Sequence, residues 1–259
     1  MKDKLSIIKI GGNVVNSPTE LDRFLQDFAS LEGFKILVHG GGKIASEVSA
    51  SMGLEPKMSG GRRITDEQTL DVVTMVYAGL LNKKIVSKLQ GFDCNAMGLS
   101  GADGNSIRAH KREVKDLDYG FAGDVDAVSS GIIESLLRSG LSPVFCAITH
   151  DKKGQLLNTN ADTIASELAK GLTENFEVKL LYCFEKDGVL EDVENKDSVV
   201  EHLDSRKYRQ MKESGQIAEG MLPKLKNCFE ALEKGVSRVV IGSPKLLKDP
   251  QRKHTTLTL

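Results

Sequence analysis

The segment from Leu5 to Asn13, LSIIKIGGN, constrains the fold more than any other stretch of the chain. Its leucine and isoleucines predict a short buried strand, and its two glycines predict a tight turn directly after it. A buried strand carries a lysine only where the ammonium group has a specific partner, so Lys9 calls for a function. Because Lys9 lies beside a turn with bare backbone N–H groups, the segment predicts a site for an anion such as phosphate.

A second strand and glycine turn follow after a predicted helix. Ser17 is suited to cap that helix, Pro18 to begin it and Glu20 to complete a capping box. The largely apolar residues 35–38 predict the second strand, which leads into His39 and three consecutive glycines. A further helix is predicted next, and this strand–helix order is typical of a parallel sheet in an α/β fold. Both glycine turns should therefore lie at the same edge of the sheet.

The rest of the chain continues the alternation of helices and strands. Thr65 and Gln68 resemble a capping box at the start of another helix. The predicted buried stripe of that helix consists of Leu70, Val73, Tyr77 and Leu80. Residues 108–126 predict a β excursion at the edge of the sheet, and residues 191–215 predict a charged surface segment. Further strands are predicted at residues 95–99, 143–148, 178–184 and 238–241.

Composition and charge exclude several classes of protein. The formal net charge of the 259 residues is −1, and scattered Lys and Arg argue against a nucleic-acid-binding face. No run approaches the ~18 apolar residues of a membrane span, and the N-terminus does not resemble a signal peptide. The four cysteines are far apart and form no CxxC motif, which predicts reduced thiols and a cytoplasmic protein.

Neither glycine turn matches a known nucleotide-binding fingerprint. The chain contains no GxxxxGK[ST] motif, and neither turn is a proper GxGxxG motif. Each turn alone is more typical of a simple strand-to-helix connection than of a ligand site. The two turns together offer two sets of backbone N–H donors at one sheet edge, which favours a phosphate site.

Four polar residues outside the glycine turns are further candidates, and each also has an ordinary structural interpretation. Lys224 begins a predicted helix after Gly-Met-Leu-Pro, where a lysine is commonly a solvated surface charge. Asp162 follows the predicted N-cap Asn160 and suits the helix dipole. Asn158 is typical of a turn, and Arg63 is typical of an exposed loop. Taken singly, none of them identifies a site.

Taken together, five motifs resemble the amino-acid kinase family. KIGG, HGGGK, GGRRIT, NTNAD and GMLPK occur in the order and spacing of that family, from about residue 5 to residue 241. The resemblance implies a three-layer αβα sandwich with a mainly parallel central sheet of about eight strands. It also implies a single domain over residues 1–259. The N-lobe, about residues 1–172, would bind an acyl-glutamate, and the C-lobe, about residues 173–259, would bind ATP.

The resemblance also implies roles for individual residues. Lys9 and Lys224 match two lysines that stabilise the transferring phosphoryl group, and Asp162 matches the carboxylate that positions both. Gly12 and Gly42 match glycines whose N–H groups face the phosphoryl group. The residues that match substrate contacts are Gly41, Gly42, Arg63 and Asn158. An arginine suits a substrate carboxylate because a guanidinium group binds it through two parallel hydrogen bonds.

GGRRIT, NTNADTIA and GMLPK are most similar to family members that act in arginine biosynthesis. The implied reaction uses ATP with Mg²⁺ to phosphorylate the side-chain carboxylate of N-acetyl-L-glutamate, giving N-acetyl-L-glutamyl 5-phosphate. An ionised carboxylate needs no general base, and His39 is the only histidine beside a glycine turn. N-succinylglutamate as the substrate, another activity of the family, and a nucleotide- or amino-acid-sensing module remain alternatives.

Two further expectations follow from comparison with the family pattern. The family usually has Asp-Val-x-Gly-Val near the nucleotide, whereas this chain has Glu185-Lys186-Asp187-Gly188-Val189, which changes the charge there. Arginine-inhibited members carry an additional N-terminal helix that links dimers into a hexamer. Lys9 lies too close to Met1 for such a helix, so we expect a homodimer that arginine does not inhibit.

Overall fold

The structure is a computed structural model that describes residues 2–192, 194–217 and 221–259. Over these residues the strands are β1 (Asp3–Ile10), β2 (Phe34–His39), β3 (Met58–Ser59), β4 (Arg62–Arg63), β5 (Ala96–Leu99), β6 (Ile107–Lys111), β7 (Gly123–Val128), β8 (Ser142–Phe145), β9 (Ile148–His150), β10 (Leu156–Asn158), β11 (Phe176–Cys183), β12 (His202–Asp204), β13 (Arg238–Gly242) and β14 (Thr255–Thr258). The α-helices of the same residues are α1 (Gly12–Asn16), α2 (Pro18–Ala29), α3 (Gly42–Ser51), α4 (Glu67–Thr74), α5 (Asn82–Gln90), α6 (Ser130–Arg138), α7 (Ala161–Gly171), α8 (Ser205–Glu213) and α9 (Leu222–Glu233). A π-helical segment, Met75–Leu81, joins α4 to α5.

Among the described residues, eight strands form one central sheet in the order β12-β14-β13-β11-β1-β2-β8-β5. The six strands from β13 to β5 pair in parallel. At the other end, β14 pairs antiparallel with β13, and β12 pairs parallel with β14. The predicted mainly parallel sheet of about eight strands is therefore confirmed.

The predicted first strand lies at the centre of this sheet, between β11 and β2. Ile7, Ile8 and Ile10 are each at most 1% exposed. Because successive side chains of a strand point to opposite faces, both faces of β1 are covered by other layers. The following helix, α2, has the predicted N-cap, since Ser17 accepts a hydrogen bond from the backbone N–H of Glu20.

A smaller sheet corrects two of the strand predictions. Residues 108–126 do not extend the edge of the central sheet, because β6 and β7 belong to a separate sheet of order β10-β9-β6-β7. The single strand predicted at residues 143–148 is two strands, β8 and β9, in different sheets. Between them, Cys146 donates to Leu99 and Ala147 accepts from Thr159, so the chain passes from one sheet to the other.

The helix predicted after Thr65 begins one residue later, because Asp66 is the N-cap and accepts a hydrogen bond from Thr69. Its predicted buried stripe is wrong at Leu80, which is 40% exposed, whereas Leu81 is 4% exposed. The π-helical segment widens the turn by one residue, so the buried position moves from Leu80 to Leu81.

The C-terminal third contains more structure than the sequence predicted. Residues 191–215 are not only a charged surface, because β12 and α8 form there and bury Leu203 and Met211. The helix predicted at the GMLPK motif is α9, with Pro223 in its first turn. Gly220 of that motif lies outside the described residues.

Candidate active site

Two glycine turns lie side by side at the carboxyl edge of the central sheet. In the pairing of β1 with β2, Ile10 is opposite His39, so the turns leave the sheet at the same level. Helix α1 begins at Gly12 and α3 begins at Gly42. This arrangement agrees with the prediction that both turns lie at one sheet edge.

Close packing favours a glycine at position 41. A Cβ atom at this position would lie 2.3 Å from Leu81 Cδ1 and 3.2 Å from the Tyr77 ring. Both neighbours belong to the π-helical segment, so a side chain at Gly41 would have to push the Leu81 side chain and the Tyr77 ring aside. The glycine therefore lets the helix approach the turn.

Lys9, Asp162 and Lys224 meet at this edge, although they are distant in sequence. Lys9 Nζ lies 2.6 Å from Asp162 Oδ1, and Lys224 Nζ lies 3.9 Å from Asp162 Oδ2. The side chains of Lys9 and Asp162 are 8% and 9% exposed, and that of Lys224 is 31% exposed. One carboxylate thus contacts two ammonium groups in a partly desolvated cluster, which we call the Lys–Asp–Lys triad.

Hydrogen bonds from neighbouring side chains to its backbone hold Asp162 in position. Asn160 is the predicted N-cap of α7, and its side chain accepts from the N–H groups of Asp162 and Thr163, at 2.8 and 3.2 Å. The Tyr182 hydroxyl donates to the Asp162 carbonyl at 2.9 Å. Asp162 therefore has a helix cap on one side and strand β11 on the other.

Burial and the two charges of the triad shift the pKa of Lys224 in different directions. Burial lowers the pKa of its ammonium group, Asp162 raises it, and the neighbouring Lys9 lowers it further. The position of Lys224 in the first turn of α9 directs its side chain to the triad. The triad therefore places two ammonium groups around a single carboxylate.

A cavity of about 220 Å³ lies on one side of the triad, and we call it the smaller cavity. The two glycine turns, the β3–β4 hairpin and the start of α7 line it. Arg63 is buried in its wall rather than exposed on a loop. Arg63 Nη2 donates to the Gly42 carbonyl at 2.8 Å and to Ser46 Oγ at 2.7 Å. Its Nη1 is buried without a partner among the described residues, so it is available to an anion in the cavity.

Asn158 also lines the smaller cavity. Its Nδ2 donates to Thr65 Oγ1 at 2.9 Å, and Thr65 Oγ1 donates in turn to the Arg63 carbonyl at 3.1 Å. These bonds fix the Asn158 amide, and its carbonyl oxygen is the atom left to accept from a ligand. Thr65, predicted as a helix cap, thus connects two candidate ligand-binding residues.

A cavity of about 680 Å³ lies on the other side of the triad, and we call it the larger cavity. Lys224, Phe184 and the loop after β11 line it, together with Arg252. The carboxylate of Asp187 in that loop accepts from Arg252 Nε and Nη2, at 3.0 and 3.1 Å, and these bonds lower the pKa of Asp187. Lys9, Gly11 and Gly12 line both cavities, so these residues form the boundary between them.

His39 is not placed to act as a general base. It is fully buried, its Nδ1 donates to the Gly40 carbonyl at 2.8 Å, and its Nε2 accepts from Asn82 at 3.2 Å. Burial lowers the pKa of His39 to about 4, so the ring is neutral near pH 7. His39 therefore supports the glycine turn.

In the part of the chain that the structure describes, no group of three or more His, Cys, Asp or Glu side chains could hold a metal ion. A search of the same residues finds no helix with the length and apolar character needed to cross a bilayer.

Sequence reasoning missed two aromatic residues at the site. Tyr77 lines the smaller cavity beside Arg63, and burial raises the pKa of its hydroxyl. The Phe184 ring lies close to both ammonium groups of the triad. Tyr77 resembled an ordinary member of a buried helical stripe. Phe184 directly follows a buried parallel strand, and the position of strand ends at the ligand crevice could have drawn attention to it.

The model of the amino acid kinase family matches residues 4–243. An acetylglutamate kinase from Phocaeicola vulgatus is 54% identical over 241 residues, which cover 93% of this chain and 94% of that protein. An acetylglutamate kinase from Cytophaga hutchinsonii is 54% identical over 255 residues, covering 98% and 97%. Among solved structures, smu.665 from Streptococcus mutans UA159 matches with a TM-score of 0.79 and 25% identity, covering 98% of each chain.

Proposed function

Because the chain belongs to the amino acid kinase family, we propose that it transfers the γ-phosphoryl group of ATP to the side-chain carboxylate of N-acetyl-L-glutamate. The products are ADP and N-acetyl-L-glutamyl 5-phosphate, an intermediate of arginine biosynthesis. Two relatives that are each 54% identical over almost the whole chain are acetylglutamate kinases, which supports this choice of acceptor.

The observation that carries the proposal is the Lys–Asp–Lys triad between two cavities. The acceptor carboxylate, whose pKa is ordinarily about 4.3, is ionised at neutral pH, so it needs no general base. The difficulty of the reaction is bringing one anion to another. Two ammonium groups in a partly dry cleft reduce that repulsion and stabilise the charge on the transferring group. Lys9 and Lys224 perform this role, and Asp162 holds them in place.

The acceptor occupies the smaller cavity, in the N-lobe of about residues 1–172. Arg63 Nη1, which has no hydrogen-bond partner among the described residues, binds the α-carboxylate, and the Asn158 carbonyl oxygen accepts from the amide N–H. The N–H groups of Gly12 and Gly42 face the phosphoryl group, and Gly41 completes the acceptor turn. Arg63 is the main determinant of acceptor binding, because its buried donor has no other partner among the described residues.

ATP occupies the larger cavity, mainly in the C-lobe of about residues 173–259. Mg²⁺ enters as part of the substrate, bound to the phosphates of ATP. Asp187 in this cavity is already paired with Arg252, so the nucleotide meets a neutralised carboxylate there.

We place the enzyme in the cytoplasm as a homodimer. The cysteines Cys94, Cys146, Cys183 and Cys228 are buried and unpaired, which supports a reducing compartment. Met75 and Leu80 on the π-helical segment are exposed, as is Met97 on the edge strand β5, and such residues favour contact with a second copy. Sedimentation analysis tests the oligomeric state, and a monomer or a hexamer would contradict the proposed homodimer.

The reaction is tested by measuring ADP release in a coupled assay with and without N-acetyl-L-glutamate. N-succinyl-L-glutamate and L-glutamate serve as comparison acceptors. We expect release that depends on the acceptor and is fastest with N-acetyl-L-glutamate. Nucleotide binding without turnover would indicate a sensing module, and preference for another acceptor would contradict the proposed substrate.

A further inference from the structure

Phe184 lies at the mouth of the larger cavity, directly after β11. Its backbone N–H donates to the Gly242 carbonyl at 2.8 Å. Its ring stacks on the ring of Tyr182, with centroids 6.0 Å apart and planes inclined by 3°. Tyr182 is fully buried and is anchored by its hydrogen bond to Asp162. Phe184 is therefore held by its backbone hydrogen bond and by the stacking of its ring on Tyr182.

Both ammonium groups of the triad lie near this ring. Lys224 Nζ is 4.2 Å from the ring centroid, and Lys9 Nζ is 5.5 Å from it. Both distances fall within the range of about 6 Å over which the face of an aromatic ring attracts a cation. Phe184 and Asp162 are thus both shared by the two lysines.

We propose that Phe184 is a positioning residue for phosphoryl transfer, holding the Lys9 and Lys224 ammonium groups together through the face of its ring. This inference rests on the proposed function, because it assigns the two ammonium groups to the transferring phosphoryl group. It adds a second shared partner to the single carboxylate of the triad.

The chemistry of the site explains why an aromatic ring suits this position. Two neighbouring ammonium groups repel each other, and Asp162 balances only one of the two charges. A second carboxylate would neutralise the cluster and compete for the N–H donors that the phosphoryl oxygens need. The face of an aromatic ring attracts both cations without carrying a negative charge, and its apolar surface reduces contact with water.

Few other ionisable groups act on the nearest ammonium group. Those that affect Lys224 are Asp162 on α7, Lys9 on β1 and Cys228 on α9. Burial raises the pKa of the Cys228 thiol, so it stays neutral in the range where the lysines act. A change in the titration of Lys224 after substitution of Phe184 would therefore report mainly on the ring.

The test compares Phe184→Leu, which keeps an apolar side chain but removes the aromatic face, with Phe184→Tyr, which retains it. We expect kcat to fall about five- to tenfold in F184L and to recover most of that loss in F184Y. The alkaline limb of the kcat profile should move about 0.5–1 pH unit lower in F184L, because the Lys224 ammonium group loses its proton more readily without the ring. Phe229→Leu is the matched control: it removes a core ring that stacks on Tyr208, so it should lower thermal stability without moving that limb.

Direct titration of the lysine Nζ groups by NMR separates this inference from the proposed reaction. If the wild-type protein shows no turnover, the proposed function fails, yet the titration still reports whether the ring affects the lysines. Phe184→Met replaces F184L if the leucine variant does not fold. Unshifted lysine titration in F184L or F184M, or equal loss of activity in F184L and F184Y, would overturn the positioning role.

Discussion

The two cavities beside the triad differ in how their walls are built. The smaller cavity is formed by glycine turns and by a buried arginine whose Nη1 has no partner in the part of the chain that the structure describes. The larger cavity has about three times the volume, 680 against 220 Å³, and Glu185 and Lys186 in its wall are exposed. If the substrates occupy the cavities as proposed, the acceptor is recognised by buried groups, whereas the nucleotide contacts a wider and more solvated surface.

This difference has a consequence for selectivity. A buried donor left unpaired is costly, so the smaller cavity should strongly disfavour ligands that lack a carboxylate for Arg63. Exposed charges in the larger cavity are screened by water and should each contribute less. Substitutions on the two sides should therefore differ in size and in the substrate they affect.

The largest effects are expected for the triad lysines at the boundary between the cavities. Their loss should impair the reaction itself and not the binding of one substrate. Lys9→Ala and Lys224→Ala should each lower kcat by about 10²–10³ with the fold intact, because each removes a donor to the transferring group. Lys226→Ala is the matched control, since Lys226 is an exposed lysine on the same helix. Steady-state kinetics measure the effect, and near-normal turnover in either active-site variant would refute the assignment.

The turn beside the smaller cavity should also be sensitive to acid, through His39. Its pKa is about 4 in the folded protein against an ordinary 6.5, so the unfolded chain binds the proton more readily. The stability linked to His39 is thus complete above about pH 6.5 and is lost progressively as the pH falls to about 4, amounting to about 3 kcal/mol. Urea unfolding at pH 7 and pH 4.5 should show a smaller acid loss in His39→Gln than in the wild type. If wild type and His39→Gln lose the same amount of unfolding free energy between pH 7 and pH 4.5, His39 is not the source of the acid sensitivity.

Arg63→Ala should affect the binding of the two substrates differently. Loss of its charged hydrogen bonds should raise the KM for N-acetyl-L-glutamate about 10- to 100-fold, with little change in the KM for ATP. Arg108→Ala, at an exposed arginine of β6, is the control. If both KM values rise equally, Arg63 is not specific to the acceptor side.

On the nucleotide side a smaller effect is expected, at Arg252. Arg252→Ala removes the arginine partner of Asp187 and, if ATP occupies the larger cavity as proposed, should raise the KM for ATP about two- to fivefold. The KM for the acceptor should stay constant, and Lys248→Ala, at an exposed lysine, should change neither constant. If Arg252→Ala raises the KM for ATP as much as Arg63→Ala raises the KM for the acceptor, the two cavities do not differ in the way proposed.

Local sequence patterns predicted the central part of the fold because short-range rules determine it there. A buried strand followed by glycines, a Ser-Pro-x-Glu helix start and the Asn160 cap each depend on residues close together in sequence. The lysine inside a buried strand also pointed to the site, since burial of an ammonium group needs a partner.

Other features depend on contacts that sequence patterns do not contain. The shift from Leu80 to Leu81 follows from a π-helical segment packed against Gly41, which is a tertiary effect. The division of residues 143–148 between two sheets follows from pairing with distant strands. The Arg63 Nη1 group, unpartnered among residues 2–192, 194–217 and 221–259, and the Phe184 ring can be recognised as parts of the site only once the cavities are known.

The most direct test of the proposed reaction geometry is a crystal structure with N-acetyl-L-glutamate and a magnesium-bound ATP analogue whose γ-phosphate cannot be transferred. We predict that γ-phosphate oxygens lie about 3 Å from both Lys9 Nζ and Lys224 Nζ, with the acceptor carboxylate facing them from the smaller cavity. A nucleotide whose γ-phosphate contacts neither lysine, or an acceptor bound away from Arg63, would contradict it.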